Sequence, residues 1–328
     1  MATSHLAILT LLFLSLSSLS HAAERCHPND KKALLQIKKD LKNPYVLTSW
    51  NPKTDCCDWY VVKCDAKTNR ITQFFLTKTN LNLPIPAAVG DLTHLQILSL
   101  HKINVTGEIP RAISKLSDLT LLDLQWNLLT GPVPAFLGHL KNLTNVILSF
   151  NSFTGSIPAS FSQLPKLAGL FLDRNRLTGS IPETFADFKN EEISLYLSHN
   201  ELSGPIPRKL GNANFSSIDV SRNKLEGDIS FLFGKKKSLV IGDFSRNRFE
   251  FDLTKVEFSE ALTNLDLNHN KIYGSLPEDL SRTGIIGLNV SYNRLCGPIP
   301  ELRRLQTFDY TTFFHNKCLC GKPLSACK

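Results

Sequence analysis

The sequence predicts an α/β solenoid: a right-handed superhelix of ten short repeats, a parallel sheet on its concave face and a disulfide-bonded cap at each end. Three observations predict it. An asparagine recurs at Asn127, Asn151, Asn175, Asn200, Asn223, Asn247, Asn270 and Asn293, a near-constant period that falls in the range of known short repeats. The words around it recur as well: "LQWNLLTGPVP" (124–134), "LSFNSFTGSIP" (148–158) and "LDRNRLTGSIP" (172–182) stand in succession. Eight cysteines fall in two clusters, four before the repeats and four at their end. A chain of 328 residues is long for one ordinary core. A repeat array escapes that limit, because each unit needs only its neighbours.

Residues 1–22 read as a signal peptide. The apolar run "LAILTLLFLSLSSL" (6–19) is too short to span a membrane comfortably, and Ser20 and Ala22 suit cleavage after Ala22, with Ala23 the next candidate. The segment before the run is atypical, with only His5 and the free amine as basic groups. No second apolar run of membrane length follows, and no retention or lipidation signal closes the chain. A secreted monomer without a membrane anchor is expected.

Residues 23–70 form the expected N-terminal cap, covering the core that a solenoid exposes at its end. "PNDKKALLQIKKDLKN" reads as a helix with Asn29 or Asp30 as N-cap and Ala33, Leu34, Ile37 and Leu41 on one face. Lys31, Lys32, Lys38 and Lys39 read as its solvated face. The clusters are Cys26, Cys56, Cys57 and Cys64, then Cys296, Cys318, Cys320 and Cys327. An even count in an exported chain reads as disulfides. Each cluster allows three pairings; neighbouring Cys56 and Cys57 suit disulfide geometry poorly. The favoured set is Cys26–Cys56, Cys57–Cys64, Cys296–Cys318 and Cys320–Cys327. Zinc is the weaker reading, because no histidine stands at ligand spacing beside either cluster. No metal and no cofactor is expected.

Residues 71–300 hold the ten repeats. Two units precede the asparagine series, with Thr79 and Ile103 in its place and Pro86 and Pro110 keeping register. A period of 20–29 residues with L-x-x-L-x-L-x-x-N-x-L is the leucine-rich-repeat signature. In "LTNVILSFN", Leu143, Val146 and Leu148 face inward and the residues between them face out, as in a strand. A chain turning inward after each strand leaves backbone groups unpaired in the interior. The asparagine amide, donor and acceptor on a short stem, can satisfy them. Gly155 and its equivalents permit unusual backbone, and Pro158 and its equivalents set φ at the turn. The residues that face solvent on the sheet are then free to carry function.

The motif "LTGSIP", recurring at that period, resembles the plant-specific form of the repeat. "CHPNDKKALLQIKKDLKNPYVLTSWNPKTDCCDWYVVKCD" resembles the N-terminal cap of plant extracellular leucine-rich-repeat proteins, and "NVSYNRLCGPIP" with "FFHNKCLCGKPLSAC" resembles their C-terminal cap, here residues 301–328. Ten units with both caps, no membrane span and no kinase resemble the polygalacturonase-inhibiting proteins of plant cell walls. "LEGDISFLFGKKKS", with "GDIS" replacing "GxIP" in unit seven, looks like that family too. The resemblance spans the whole mature chain. It implies reversible binding to microbial endopolygalacturonases in the apoplast, with access to substrate blocked.

The concave face should carry that contact. Trp126, Phe150, Phe171 and Tyr196 run across units three to six, and aromatics with arginine are the usual interface anchors. Some of these rings can also pack sideways as sheet ladders. The resemblance implies an acidic patch that meets a basic substrate cleft; Asp173, Asp219, Asp243 and Asp266 match such positions, whereas Ile147 departs from them. Arg174, Arg222 and Arg246 lie near enough to neutralise the acids, and His199 and His269 complete the expected face.

Sequons at Asn104, Asn142, Asn214 and Asn289 predict a glycoprotein. Asn142 and Asn214 fall in loops before strands, and Asn289 falls on a strand, where a glycan would push the partner toward the middle units. No catalytic residues are expected: the sequence has no G-x-S-x-G, H-E-x-x-H or phosphate-binding loop. A net charge of +8 is modest for nucleic-acid binding in an exported chain, but it predicts salt-sensitive retention on demethylated pectin (homogalacturonan). Two other functions remain open. A plant antifreeze protein resembles the same family, and Thr106, Thr130, Thr154 and Thr178 form a row, broken at Glu226, Glu250 and Tyr273. A soluble partner of a receptor ectodomain or peptide is the third.

Overall fold

The computed structural model describes residues 25–190, 192–301 and 304–328; the predicted signal peptide lies outside them. An eleven-stranded sheet lines the concave face. Val62–Cys64 of the N-terminal cap pairs antiparallel with Ile71–Thr77. From there ten strands run parallel in chain order, one per repeat: Ile71–Thr77, Ile97–His101, Leu121–Asp123, Asn145–Ile147, Gly169–Phe171, Ile193–Tyr196, Phe215–Asp219, Ile241–Asp243, Asn264–Asp266 and Gly287–Asn289. The fold is a leucine-rich-repeat solenoid with a cap at each end.

The inward residues of each unit form one continuous core. Leu143, Val146 and Leu148 are all buried, and Phe153, Phe161 and Phe185 fill the wider side of the coil. After each asparagine, short strands form further ladders along the flank, such as Arg176–Gly179 between Thr154–Gly155 and Glu201–Pro205. Proline then opens a short 3-10 turn on the convex side in units one to six and in unit nine, for example Pro158 before Ala159–Gln163. Units seven and eight lack that proline. Unit seven has a shortened turn at Ser230–Leu232, led by Ile229.

The asparagine column does what the inward turn requires. Asn151 accepts from the Leu129 amide (3.0 Å) and donates to the carbonyls of Leu124 (2.9 Å), Leu148 (3.1 Å) and Ser149 (3.2 Å). Each asparagine therefore closes its own turn and the preceding unit at once. The column begins at Asn127, which takes the amide protons of Ile103 and Val105. It does not stop at Asn293. Asn316, one period further on, accepts from Leu295 (3.0 Å) and donates to Val290 (3.0 Å) and Phe313 (2.8 Å). The C-terminal cap thus holds the remnant of an eleventh unit, which the cysteines of "FFHNKCLCGKP" disguise in the sequence.

Two expectations for the N-terminal cap are corrected. The helix is Pro28–Asp40, and its N-cap is His27, whose Nδ1 accepts from the Asn29 amide, not Asn29 or Asp30. Pro28 at the first helical position explains the shift, since its fixed φ and missing N–H suit that site. Asp30 is instead fully buried (0%) and takes bonds from Arg70 Nε (2.9 Å), Arg70 Nη2 (2.8 Å) and the Ile71 amide (2.8 Å). The lysine face is also not simply solvated: Lys38 donates to the Trp50 carbonyl at 2.8 Å.

The structure joins Cys26 to Cys56, Cys57 to Cys64, Cys296 to Cys318 and Cys320 to Cys327. The sulfurs of Cys26, Cys57 and Cys64 lie within 4.8 Å of one another, yet all three are in disulfides and offer no thiolate to a metal.

Candidate partner-binding face

The residue before each asparagine, or before the residue that replaces it, sits in the left-handed region, with φ between 52° and 58° at Lys78, Lys102, Trp126, Phe150, Arg174, His199, Arg222, Arg246, His269, Tyr292 and His315. The chain needs that conformation to leave the strand and dive inward. Asparagine or glycine would adopt it most readily. Every one of these positions holds a cationic, imidazole or aromatic side chain instead. They form an edge row along one rim of the concave sheet.

The expected aromatic run is therefore two stacks in two different rows. Trp126 and Phe150 belong to the edge row and stack at 3.7 Å between centroids, 12° from parallel. Phe171 and Tyr196 belong to the strands, in register with each other, and stack at 5.0 Å and 21°. Trp126 is the exposed ring, at 44%; the other three are half-buried. Phe171 leans over Gly169, where a Cβ would lie 2.5 Å from its ring, so this glycine makes room for the stack.

The acids also separate. Asp219, Asp243 and Asp266 face one another on adjacent strands in strict register, with Asn289 next in line. Asp173 follows the strand Gly169–Phe171 and sits in another row, bonded by the Ser149 hydroxyl. Each strand carboxylate also closes its own turn. Asp219 Oδ1 accepts from the Ser221 amide (3.0 Å) and hydroxyl (2.7 Å), Asp243 Oδ1 from the Ser245 amide (3.0 Å), and Asp266 from the Asn268 amide (2.9 Å) and side chain (3.0 Å). The signal for this second role is the D-x-S and D-x-N spacing, which the reading of these acids as a contact patch passes over.

Among the described residues, no ion pair within 4 Å joins Arg174, Arg222 or Arg246 to these carboxylates. The acids are thus not neutralised by direct pairing. Burial raises the pKa of Asp173 and Asp243, with the Asp219 charge adding to both. Burial, with the neighbouring Asp243 charge adding to it, pushes Asp266 up to about 6 against the Asn268 bonds. His199 is lowered by burial and by Arg174 and Arg222, and His269 by burial and by Arg246 and Arg222.

The buried carboxyl of Asp266 makes stability depend on pH. Its folded-state pKa is raised, so folding favours the protonated form. That contribution is full below the ordinary value of 3.8 and is lost as pH rises through about 6. Asp266→Asn should therefore stabilise the protein by about 1–3 kcal/mol at pH 7 and hardly at all at pH 4. Urea unfolding at the two pH values checks it; equal effects at both would remove the buried-carboxylate account.

A depression of about 340 Å³ lies beside these acids, lined by Ile241, Asp243, Asn264, Asp266, Gly287 and Asn289. A roomier one of about 790 Å³, lined by Thr254, Pro277, Glu278, Arg282, Pro300 and Glu301, lies away from this row. Nearer the N-terminus, Ser99 (3.0 Å) and His101 (3.7 Å) both face Asp123. The carboxylate stands between hydroxyl and imidazole, so the order of a nucleophile–base–acid relay is not met.

The sequons sit differently. Asn142 donates to the Ser117 carbonyl (3.0 Å) and accepts from Lys166 (2.8 Å), while Asn104 donates to Asn80 (3.1 Å). Asn214 precedes the strand Phe215–Asp219 and is half-buried. Asn289 is on the concave strand and accepts from the Ser291 amide (3.1 Å) and hydroxyl (2.7 Å).

Comparison with known proteins adds the family. The leucine rich repeat N-terminal domain matches residues 27–65, and leucine rich repeats match residues 141–202, 193–213 and 261–283. Polygalacturonase inhibitor 2 of Arabidopsis thaliana is 55% identical over 324 residues, 97% of this chain and 98% of its own length. The polygalacturonase inhibitor of Vitis vinifera is 54% identical, with 100% of both chains covered. Among solved structures, a plant ice-binding protein superposes with a TM-score of 0.90 at 48% identity, covering 93% of this chain and 99% of its own. With relatives of this identity over its full length, the chain belongs to the polygalacturonase-inhibitor family of leucine-rich-repeat proteins.

Proposed function

We propose that this protein binds microbial endopolygalacturonases with its concave face and inhibits them, acting outside the cell in the plant wall. The observation that carries the reading is full-length identity of 54% and 55% to proteins named polygalacturonase inhibitors. The face supports it physically: preorganised aromatic stacks beside charges that, among the described residues, form no ion pair within 4 Å are the ingredients of an interface with a few dominant anchors. The proposed contact set is Trp126, Phe150, Phe171, Asp173, Arg174, Tyr196, His199, Asp219, Arg222, Asp243, Arg246, Asp266 and His269. A broad open groove suits a protein partner better than the enclosed, water-excluding pocket that catalysis prefers. Secretion, glycosylation, a monomeric state and salt-sensitive retention on pectin belong to the same proposal. No described helix is long and apolar enough to cross a membrane.

Inhibition of a panel of fungal and insect endopolygalacturonases tests it, with the Phe171→Ala, Tyr196→Ala double variant alongside. Some panel members should be inhibited, and the variant should lose about a hundredfold in affinity while staying folded. Inhibition untouched by the variant moves the site elsewhere. A panel with no response favours the second reading.

That second reading is ice binding, favoured by the close superposition on the plant ice-binding protein. Thr130, Thr154 and Thr178 are exposed on the flank. The same position then passes to Ser203, Glu226, Glu250 and Tyr273, which breaks the flat regular surface. Ice recrystallisation in the presence of the protein separates the two.

A further inference from the structure

The edge row contains a four-member stack that the acidic face does not explain. Lys102 Nζ lies 5.7 Å from the Trp126 ring centroid, and the Arg174 guanidinium lies 4.9 Å from that of Phe150, on the far side of the Trp126–Phe150 stack. The order is cation, ring, ring, cation over four consecutive units. Among the described residues neither cation has an ion-pair partner within 4 Å. Both rings are held in the left-handed region, at φ 58° and 56°. The repeat turn imposes that conformation in every unit, and it fixes where these two rings stand. The stack is thus rigid, partly exposed at Trp126, and positively charged at both ends.

We propose that this stack, resting on the inhibitor reading, is the docking site for an apolar side chain of the partner protein that is flanked by carboxylates. The apolar group covers Trp126 and Phe150, and the carboxylates meet Lys102 and Arg174. The two cations stand three sheet steps apart, about 14 Å, a span that one short loop with acidic residues on either side of an aromatic or aliphatic one can bridge. A polyuronate chain fits less well. It carries a carboxylate on every sugar and asks for a cation in every unit, whereas two successive units here offer rings. The partner therefore brings opposite charge to the two halves of the face: acidic at units two to five, basic opposite Asp219, Asp243 and Asp266.

The test measures association and dissociation rates with an endopolygalacturonase that the wild-type protein inhibits, against Trp126→Ala and Lys102→Glu with Arg174→Glu. Trp126→Ala should weaken binding by at least about tenfold, mainly through faster dissociation. The double charge reversal should slow association by about tenfold at low salt and lose that deficit at high salt. Melting curves matching wild type confirm that these exposed substitutions leave the fold intact. Normal rates in both variants, with inhibition retained, overturn the docking site and leave the inhibitor reading standing. No binding by the wild-type protein to any panel enzyme overturns both. Tight binding of a defined oligogalacturonide that is lost in the same variants assigns the stack to a uronate, and overturns the protein assignment.

Discussion

Arg70→Met should destabilise the protein by about 3–5 kcal/mol, because it leaves the Asp30 carboxylate buried with one of its two partners gone. The side chain of Asp30 is enclosed between the cap helix and the first repeat strand. Its oxygens are met by the two nitrogens of Arg70 and by the Ile71 amide. Methionine keeps much of the volume of the arginine stem and removes the fork. The amide alone cannot compensate a charge that has left water. Adding Asp30→Leu to the same chain should recover most of the loss, since an apolar pair of similar size avoids the unpaired charge. The buried Ile71 amide then loses its acceptor, and the exposed Thr93 hydroxyl loses the Arg70 donor. A double-mutant cycle by urea unfolding checks it. Single and double variants of equal stability would mean that the pair contributes nothing beyond packing.

Asn200→Leu is the second large effect, expected at about 3–4 kcal/mol. The Asn200 amide accepts from Leu177 (2.9 Å) and donates to Leu172 (3.0 Å), Leu197 (3.0 Å) and Ser198 (3.3 Å). Leucine fills the space and meets none of these groups. The loss should be local first, because a solenoid is held together by nearest-neighbour interfaces. Hydrogen exchange should therefore accelerate around units five and six before the caps respond. Uniform acceleration along the whole chain, or none, would contradict the column as the source of local stability.

The period makes the fold legible. Alternating leucines, the repeated asparagine and the Gly–Pro turn each carry a physical requirement, and each recurs in register. The site is legible as a set of residues but not as an arrangement. Trp126 falls after the strand leucines and Phe171 between them, but Trp126 itself holds the left-handed turn that rotates it into the edge row, whereas Phe171 lies on a strand. Linear spacing does not reveal that rotation. Asp173 groups with Asp219 in the sequence for the same reason, although its row is that of Ser149 and Ser198. The Asp30–Arg70 pair spans 40 residues of sequence, so no local pattern could announce it. Asn316 does stand one period after Asn293, but the cysteines around it suggest only a cap.

The asparagine column also has a direction. Each asparagine completes the backbone of the unit before it, as Asn151 does for Leu124 and Leu129. On a ribosome, a newly made unit must therefore wait until the asparagine of the next unit has emerged. Closure would trail synthesis by one coil, like a zip whose slider follows the teeth. For unit ten the successor is the remnant in the C-terminal cap. Asn316 supplies the missing tooth, so the slider can reach the end of the chain.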